Sequence, residues 1–183
     1  SPAITIEAPS LRQITPRDYA AHPQNWSALA LDDGVILVAN GSALLIYDGR
    51  QFEQVSMPNG QLARSLAKGA DGAIYVGGVD ELAVLGNDAA GKWVLSSVTP
   101  AIPPDAQPLG YVWDISRTRN ATWFRAGKRL LRLDAEGFTR VLPADANLLA
   151  MTVIGESLHL LVQDRGLCQL TNAALACRPG TLP

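Results

Sequence analysis

The sequence is poor in the residues that carry most chemistry. Its 183 residues include two histidines, two cysteines and two methionines, and aromatic residues make up 6%. Two cysteines with no nearby histidine cannot fill a zinc shell, so no metal site is expected. No Gly-x-Ser-x-Gly elbow, phosphate loop or dinucleotide fingerprint occurs, so no catalytic residue and no cofactor is expected. Charge is sparse as well. Charged residues are 17%, with 15 basic against 17 acidic and a net charge of −2. A chain this balanced lacks the basic face that holds phosphates, which argues against a nucleic-acid partner. No apolar run approaches the ~20 residues of a membrane span; Leu158–Val162 is interrupted by His159. What is plentiful is core and turn material: 48% hydrophobic residues, 16 Gly and 12 Pro. That composition excludes a disordered tail, a collagen-like fibre and a coiled coil.

A repeated unit organises the rest. A turn followed by an apolar strand appears as Asp33-Gly34-Val35-Ile36-Leu37-Val38 and again as Asp71-Gly72-Ala73-Ile74-Tyr75-Val76. Further copies are Asn120-Ala121-Thr122-Trp123-Phe124 and Gly155-Glu156-Ser157-Leu158 continuing to Val162. Anchors at Gly34, Gly72, Asn120 and Glu156 lie 38, 48 and 36 residues apart, near the ~40–45 residue period of propeller blades. Each unit divides into four short strands joined by Gly, Asn and Asp turns, which accept the positive φ of tight hairpins. Gln61–Lys68 is the best helix candidate, but the repeat places it as an inner strand.

The fold expected is therefore all-β: four four-stranded antiparallel β-propeller blades, at roughly 26–57, 61–99, 110–143 and 147–179. The second strand of each unit is the most apolar, as suits a strand buried on both faces between neighbouring blades. Propellers have four to eight blades around a channel. The final Pro179–Pro183 reads as a loop leading onward, and the start at Ser1 carries no methionine or signal segment. Four units permit a closed four-bladed ring or an open half of a larger one, and the trailing loop favours the second, a fragment of a longer polypeptide. An open half would expose a blade face and could dimerise through it.

The run Asn25-Trp26 … Asp32-Asp33-Gly34 … Tyr47-Asp48-Gly49 … Phe52 resembles the first blade of the two-component-regulator propeller family. Arg64-Ser65-Leu66 … Asp71-Gly72-Ala73-Ile74-Tyr75-Val76-Gly77-Gly78 … Glu81 is similar too, as are Val112-Trp113-Asp114-Ile115 and Gly166-Leu167 … Leu170. The resemblance covers about Tyr19 to Pro179. It implies blades of a larger, seven-bladed type of propeller and a non-catalytic, ligand-sensing periplasmic ectodomain of an inner-membrane bacterial receptor. Such propellers adjoin a sandwich domain, a transmembrane helix and a cytoplasmic histidine kinase or diguanylate cyclase. The partners implied are a small molecule or glycan and the rest of the receptor propeller with its sandwich domain. A protein–protein adaptor is the first alternative, and a propeller lyase or glycosidase the second.

Two sets of residues stand out. Cys168 and Cys177 flank Thr171-Asn172-Ala173-Ala174. A two-residue loop at Asn172-Ala173 pairs 168 with 177 as a non-hydrogen-bonded pair, where Cα atoms approach to ~4.5 Å and a disulfide fits with little movement. A bridge points to an oxidising compartment; two reduced cysteines packed as small hydrophobes are the alternative. The inner strands, aligned on Leu29, Leu66, Ile115 and Val153, put Ser27, Arg64, Trp113 and Met151 at one level, with Trp26 and Asp114 beside it. Trp26, Arg64, Trp113 and Asp114 form the candidate ligand site, because an arginine with aromatics and a carboxylate can bind sugars or acids. The bland alternative makes Trp113 inter-blade core and pairs Arg64 with Asp114. Trp93 and Trp123 read as blade packing.

Overall fold

The computed structural model describes residues 11–142, 146–171 and 174–178. The turn centre Asn172-Ala173 and the segments at 1–10 and 179–183 lie outside the described residues. Blade 1 is built from β1 (Asn25–Ala30), β2 (Ile36–Asn40), β3 (Leu44–Tyr47) and β4 (Phe52–Val55). Blade 2 holds β5 (Ser65–Lys68), β6 (Ile74–Gly77), β7 (Leu82–Asn87) and β8 (Trp93–Ser97). Blade 3 holds β9 (Val112–Arg117), β10 (Thr122–Ala126), β11 (Arg129–Asp134) and β12 (Gly137–Arg140). Blade 4 holds β13 (Leu148–Ile154), β14 (Ser157–Val162), β15 (Gly166–Thr171) and β16 (Ala174–Cys177). Each is a four-stranded antiparallel meander with strands in chain order.

The Asp-Gly turns have a common mechanism. In the first hairpin the Asp33 carboxylate accepts a bond from Val35 N at 3.1 Å, and Gly34 takes φ +87°. In the second, Asp71 accepts from Ala73 N at 3.1 Å, with Gly72 at φ +84°. The aspartate mimics a backbone turn, and glycine alone enters that φ without strain. These hairpins set the inner strand and the second strand of blades 1 and 2 in register.

The first strands line up side by side: β5 lies between β1 and β9, and β9 between β5 and β13. Backbone bonds tie the blades, from Ala63 N to Asn40 O at 3.1 Å and from Val112 N to Gly78 O at 2.9 Å. The core is divided among the blade interfaces. Leu37, Leu44, Ile46 and Val55 of blade 1 meet Leu66, Val76 and Leu85 of blade 2. Tyr75 and Leu82 of blade 2 meet Val112, Phe124 and Leu131 of blade 3. Trp123 and Leu130 of blade 3 meet Leu148, Leu158, Leu160 and Val162 of blade 4. No blade has a core without its neighbour, as in any stacked repeat array.

The expectation that second strands are buried on both faces needs dividing. All five residues of β10 are buried, and β6 is nearly so. In β14 burial alternates, with Leu158, Leu160 and Val162 inward and Ser157, His159 and Leu161 half-buried. Blades 2 and 3 have neighbours on both sides, whereas blades 1 and 4 have one each among the described residues. The face of blade 1 turned away from blade 2 is partly covered by the chain itself. A short helix, α1 (Pro16–Tyr19), buries Tyr19 to 6% exposure against Phe52, and Gln54 Nε2 donates to the carbonyls of Tyr19 and Ala20 at 3.0 Å.

Candidate functional site

Register irregularities on the inner strands build the site. In blade 1, Asn25 opposes Asn40 and Ser27 opposes Ala39, so Trp26 is an extra, unopposed residue. In blade 3, Val112 opposes Ala126 and Asp114 opposes Arg125, leaving Trp113 unopposed. In blade 4 the unopposed residue is Leu149. A β-bulge of this kind bends the strand and re-aims one side chain. Blade 2 has Arg64 at the equivalent place, just before β5, with its N–H bonded to Gly77 O at 2.7 Å. Matching the Ala30–Ile36 pair to Lys68–Ile74 puts Trp26 level with Arg64. The same match through Arg117–Thr122 and Val153–Leu158 adds Trp113 and Leu149.

The level is therefore Trp26, Arg64, Trp113 and Leu149. This corrects the sequence alignment, which put Ser27 and Met151 there. The first and fourth strands slip by one and two residues because their hairpins differ in length, and identity alone does not show that. Ser27 and Met151 still line the same cavity, about 360 Å³ in volume, together with Trp26, Arg64, Trp113 and Asp114. All four residues proposed from sequence thus come together at one mouth.

Two arginines meet Trp113 there. The Arg64 guanidinium carbon lies 4.4 Å from the centre of the Trp26 ring and 5.1 Å from that of Trp113. Cation–π attraction of this kind is worth roughly 0.5–2 kcal/mol, more when water is excluded. Arg125 lies 5.8 Å from the Trp113 ring. Its Nε donates to Asp114 Oδ2 at 2.5 Å, and its Nη1 donates to Leu148 O of blade 4 at 3.2 Å. Asp114 accordingly pairs with Arg125, its neighbour across the β9–β10 ladder, and not with Arg64. Sequence reasoning missed Arg125. Its signal was present, since a charged residue in an otherwise apolar second strand needs a partner when buried. It also missed Tyr111, which stacks on Trp113 with ring centres 4.8 Å apart and stays 41% exposed.

Close packing places these groups. A Cβ on Gly77 would come within 2.4 Å of Ser65 Oγ and 2.5 Å of Val112 Cγ1. Glycine there lets β9 approach β5, which brings Trp113 over Arg64. On blade 1, the buried Asn40 donates to Asn25 Oδ1 at 2.7 Å and to His22 O at 2.6 Å, fixing the residue before Trp26.

The remaining sequence candidates lie elsewhere. Cys168 and Cys177 oppose each other across β15 and β16 and form a disulfide, with Cα atoms 3.9 Å apart. Arg178 N bonds Leu167 O, so the cysteine pair is the non-hydrogen-bonded one. Trp93 and Trp123 pack at blade interfaces. His159 is half-buried on the face of blade 4 turned from blade 3, its Nδ1 3.1 Å from Ser157 O. His22 Nδ1 accepts from Gln24 N at 3.1 Å in the loop before β1. Among the described residues no three His, Cys, Asp or Glu gather as a metal site, and no helix is long and apolar enough to cross a membrane.

No family model matches the sequence, and no curated protein matches it. Solved structures do. The extracellular domain assigned to a hybrid two-component system, BT4673 of B. thetaiotaomicron, superposes with a TM-score of 0.68 at 15% identity, over 85% of this chain and 22% of its own. A streptogramin B lyase superposes with a TM-score of 0.61 at 15% identity, over 83% of this chain and 53% of its own. Virginiamycin B lyase from Staphylococcus aureus gives 0.61 at 18% identity, over 87% and 56%. The chain thus spans about half the length of the lyases and about a fifth of the sensor ectodomain. At such identities the likeness shows the fold: these four sheets are β-propeller blades, and they fit as blades of a larger propeller.

Proposed function

We propose that the chain is a ligand-sensing propeller segment of a bacterial transmembrane receptor, facing the periplasm and without catalytic activity. The observation that carries this reading is the Arg64 clamp. Two bulged tryptophans and an arginine from three blades converge on one polar cavity. The bulge leaves Trp26 41% exposed among the residues that line the cavity. The disulfide in blade 4 supports an oxidising compartment. The fold likeness to an extracellular sensor domain supports the receptor context. A ligand bridging blades 1, 2 and 3 would act on their relative placement, and it can signal only by binding one arrangement more tightly than another.

The lyase reading has less support. Acid–base elimination or hydrolysis needs a free proton acceptor at the mouth. The carboxylate lining the cavity, Asp114, is committed to Arg125, and neither His22 nor His159 lines it. A thermal-shift screen with oligosaccharides, amino acids and nucleotides tests the proposal. A true ligand at a hundredfold excess over Kd raises stability by ~2.7 kcal/mol. It should also perturb tryptophan emission and lose its effect in Trp26→Leu. Turnover of a compound by this chain would overturn the non-catalytic reading.

A further inference from the structure

Resting on that reading of the mouth, we infer that the ligand it takes carries a carboxylate and is a monoanion. Arg64 makes no ion pair and no side-chain hydrogen bond among the described residues. An unpaired arginine on open surface is satisfied by water and free to move. Arg64 is instead held over two indoles, which hold its cationic face but accept none of its in-plane N–H bonds. A guanidinium edge presents parallel donors that match a carboxylate in two-point contact. The donor edge of Arg64 is therefore set in place with no acceptor among the described residues.

The charge count around the cavity fixes the charge of the guest. Arg64 and Arg125 bring two positive charges, and Asp114 brings one negative charge. The surplus is one positive charge, although the whole chain carries −2. A carboxylate on Arg64 balances the mouth. A phosphate near neutral pH carries between one and two negative charges, and the part beyond one has no cation left to balance it, so it is disfavoured. Ser27, Ser116 and the indole of Trp26 also line the cavity and suit a small hydroxylated body beside the acid group. Sugar acids, hydroxy acids and N-acylated amino acids share this monoanionic carboxylate chemistry.

The test uses this chain and tryptophan emission or calorimetry with matched probes. These are galacturonate against galactose, lactate against propane-1,2-diol, N-acetylalanine against its amide, and inorganic phosphate. The expected result is saturable binding of at least one carboxylate. Its neutral partner and phosphate should bind at least about tenfold more weakly, the loss of a charge-assisted contact. Which acid binds identifies the source. Arg64→Gln should abolish binding while the melting temperature stays near that of the parent, and Arg64→Lys should retain only a fraction, since it keeps charge without the fork. Equal binding of acid and neutral partner, or a carboxylate indifferent to Arg64→Gln, overturns the inference yet leaves the mouth as a ligand site. Silence of all probes, neutral and acidic, up to tens of millimolar overturns the inference. Silence of the wider screen as well would remove the ligand-site reading too.

Discussion

Arg64 and Arg125 both lie against the Trp113 indole and do different jobs. Arg125 is 9% exposed, tied to Asp114 on its own blade and to the Leu148 carbonyl on the next. Arg64 is half-buried, rests on aromatic faces and has no partner for its guanidinium N–H groups among the described residues. The difference follows from position. Arg125 sits in the second strand, where packing on both sides excludes water and an unmet charge is heavily penalised. Arg64 sits where an inner strand begins, at the mouth, where water or a ligand can satisfy it. One arginine joins blades, and the other is available for recognition.

Removing the joining arginine should have the largest effect. Arg125→Ala leaves Asp114 and the Leu148 carbonyl without their donor, at a cost of about 3 kcal/mol. Urea denaturation should show that loss, and the mouth should fail with it. A near-parental midpoint would end the distinction between the two arginines. Next in size is the bridge in blade 4. Converting Cys168 and Cys177 to serine opens a closed loop of nine-residue separation, worth about 2.5 kcal/mol by the chain-entropy model. Because Arg125 reaches into blade 4 and Arg64 does not, reduction should lower the melting temperature, yet probe binding at the mouth should survive below the transition. Gly77→Ala follows, at about 2 kcal/mol for overpacking. Its Cβ would push β9 from β5, so it should weaken binding at the mouth more than its stability cost implies.

How much of this could be read from the residues follows the same division. The Asp-Gly turns and apolar second strands stated the blades openly, because hairpin chemistry and burial act on neighbouring residues. The cysteine pairing was legible for the same reason: a short turn fixes its own register. The mouth was legible in its members but not in its levels. Trp26 and Leu149 take their places through bulges, and a bulge adds a residue without any fixed sequence signal. Nor could sequence assign Asp114 to Arg125, since that choice depends on which strand lies alongside β9. The covering of blade 1 by α1 is tertiary, made by Tyr19 against Phe52 far along the chain.

The smallest expected stability effect is the most informative one. Arg64→Ala removes a guanidinium that satisfies no acceptor among the described residues, so the loss is limited to cation–π contact and some stem packing, about 0.5–1 kcal/mol. Trp113→Leu offers a comparison, because that indole serves both arginines and stacks on Tyr111. It should cost more than Arg64→Ala in denaturation, about 1–2 kcal/mol, and should also loosen Arg125. In a double-mutant cycle, Arg64→Ala and Trp113→Leu should couple weakly for stability and strongly for ligand binding. Strong coupling in stability would mean that Arg64 is a structural strut after all, held for the sake of the blades. Weak coupling in stability, with binding lost in either single variant, fits a cation kept at the mouth at little benefit to the fold.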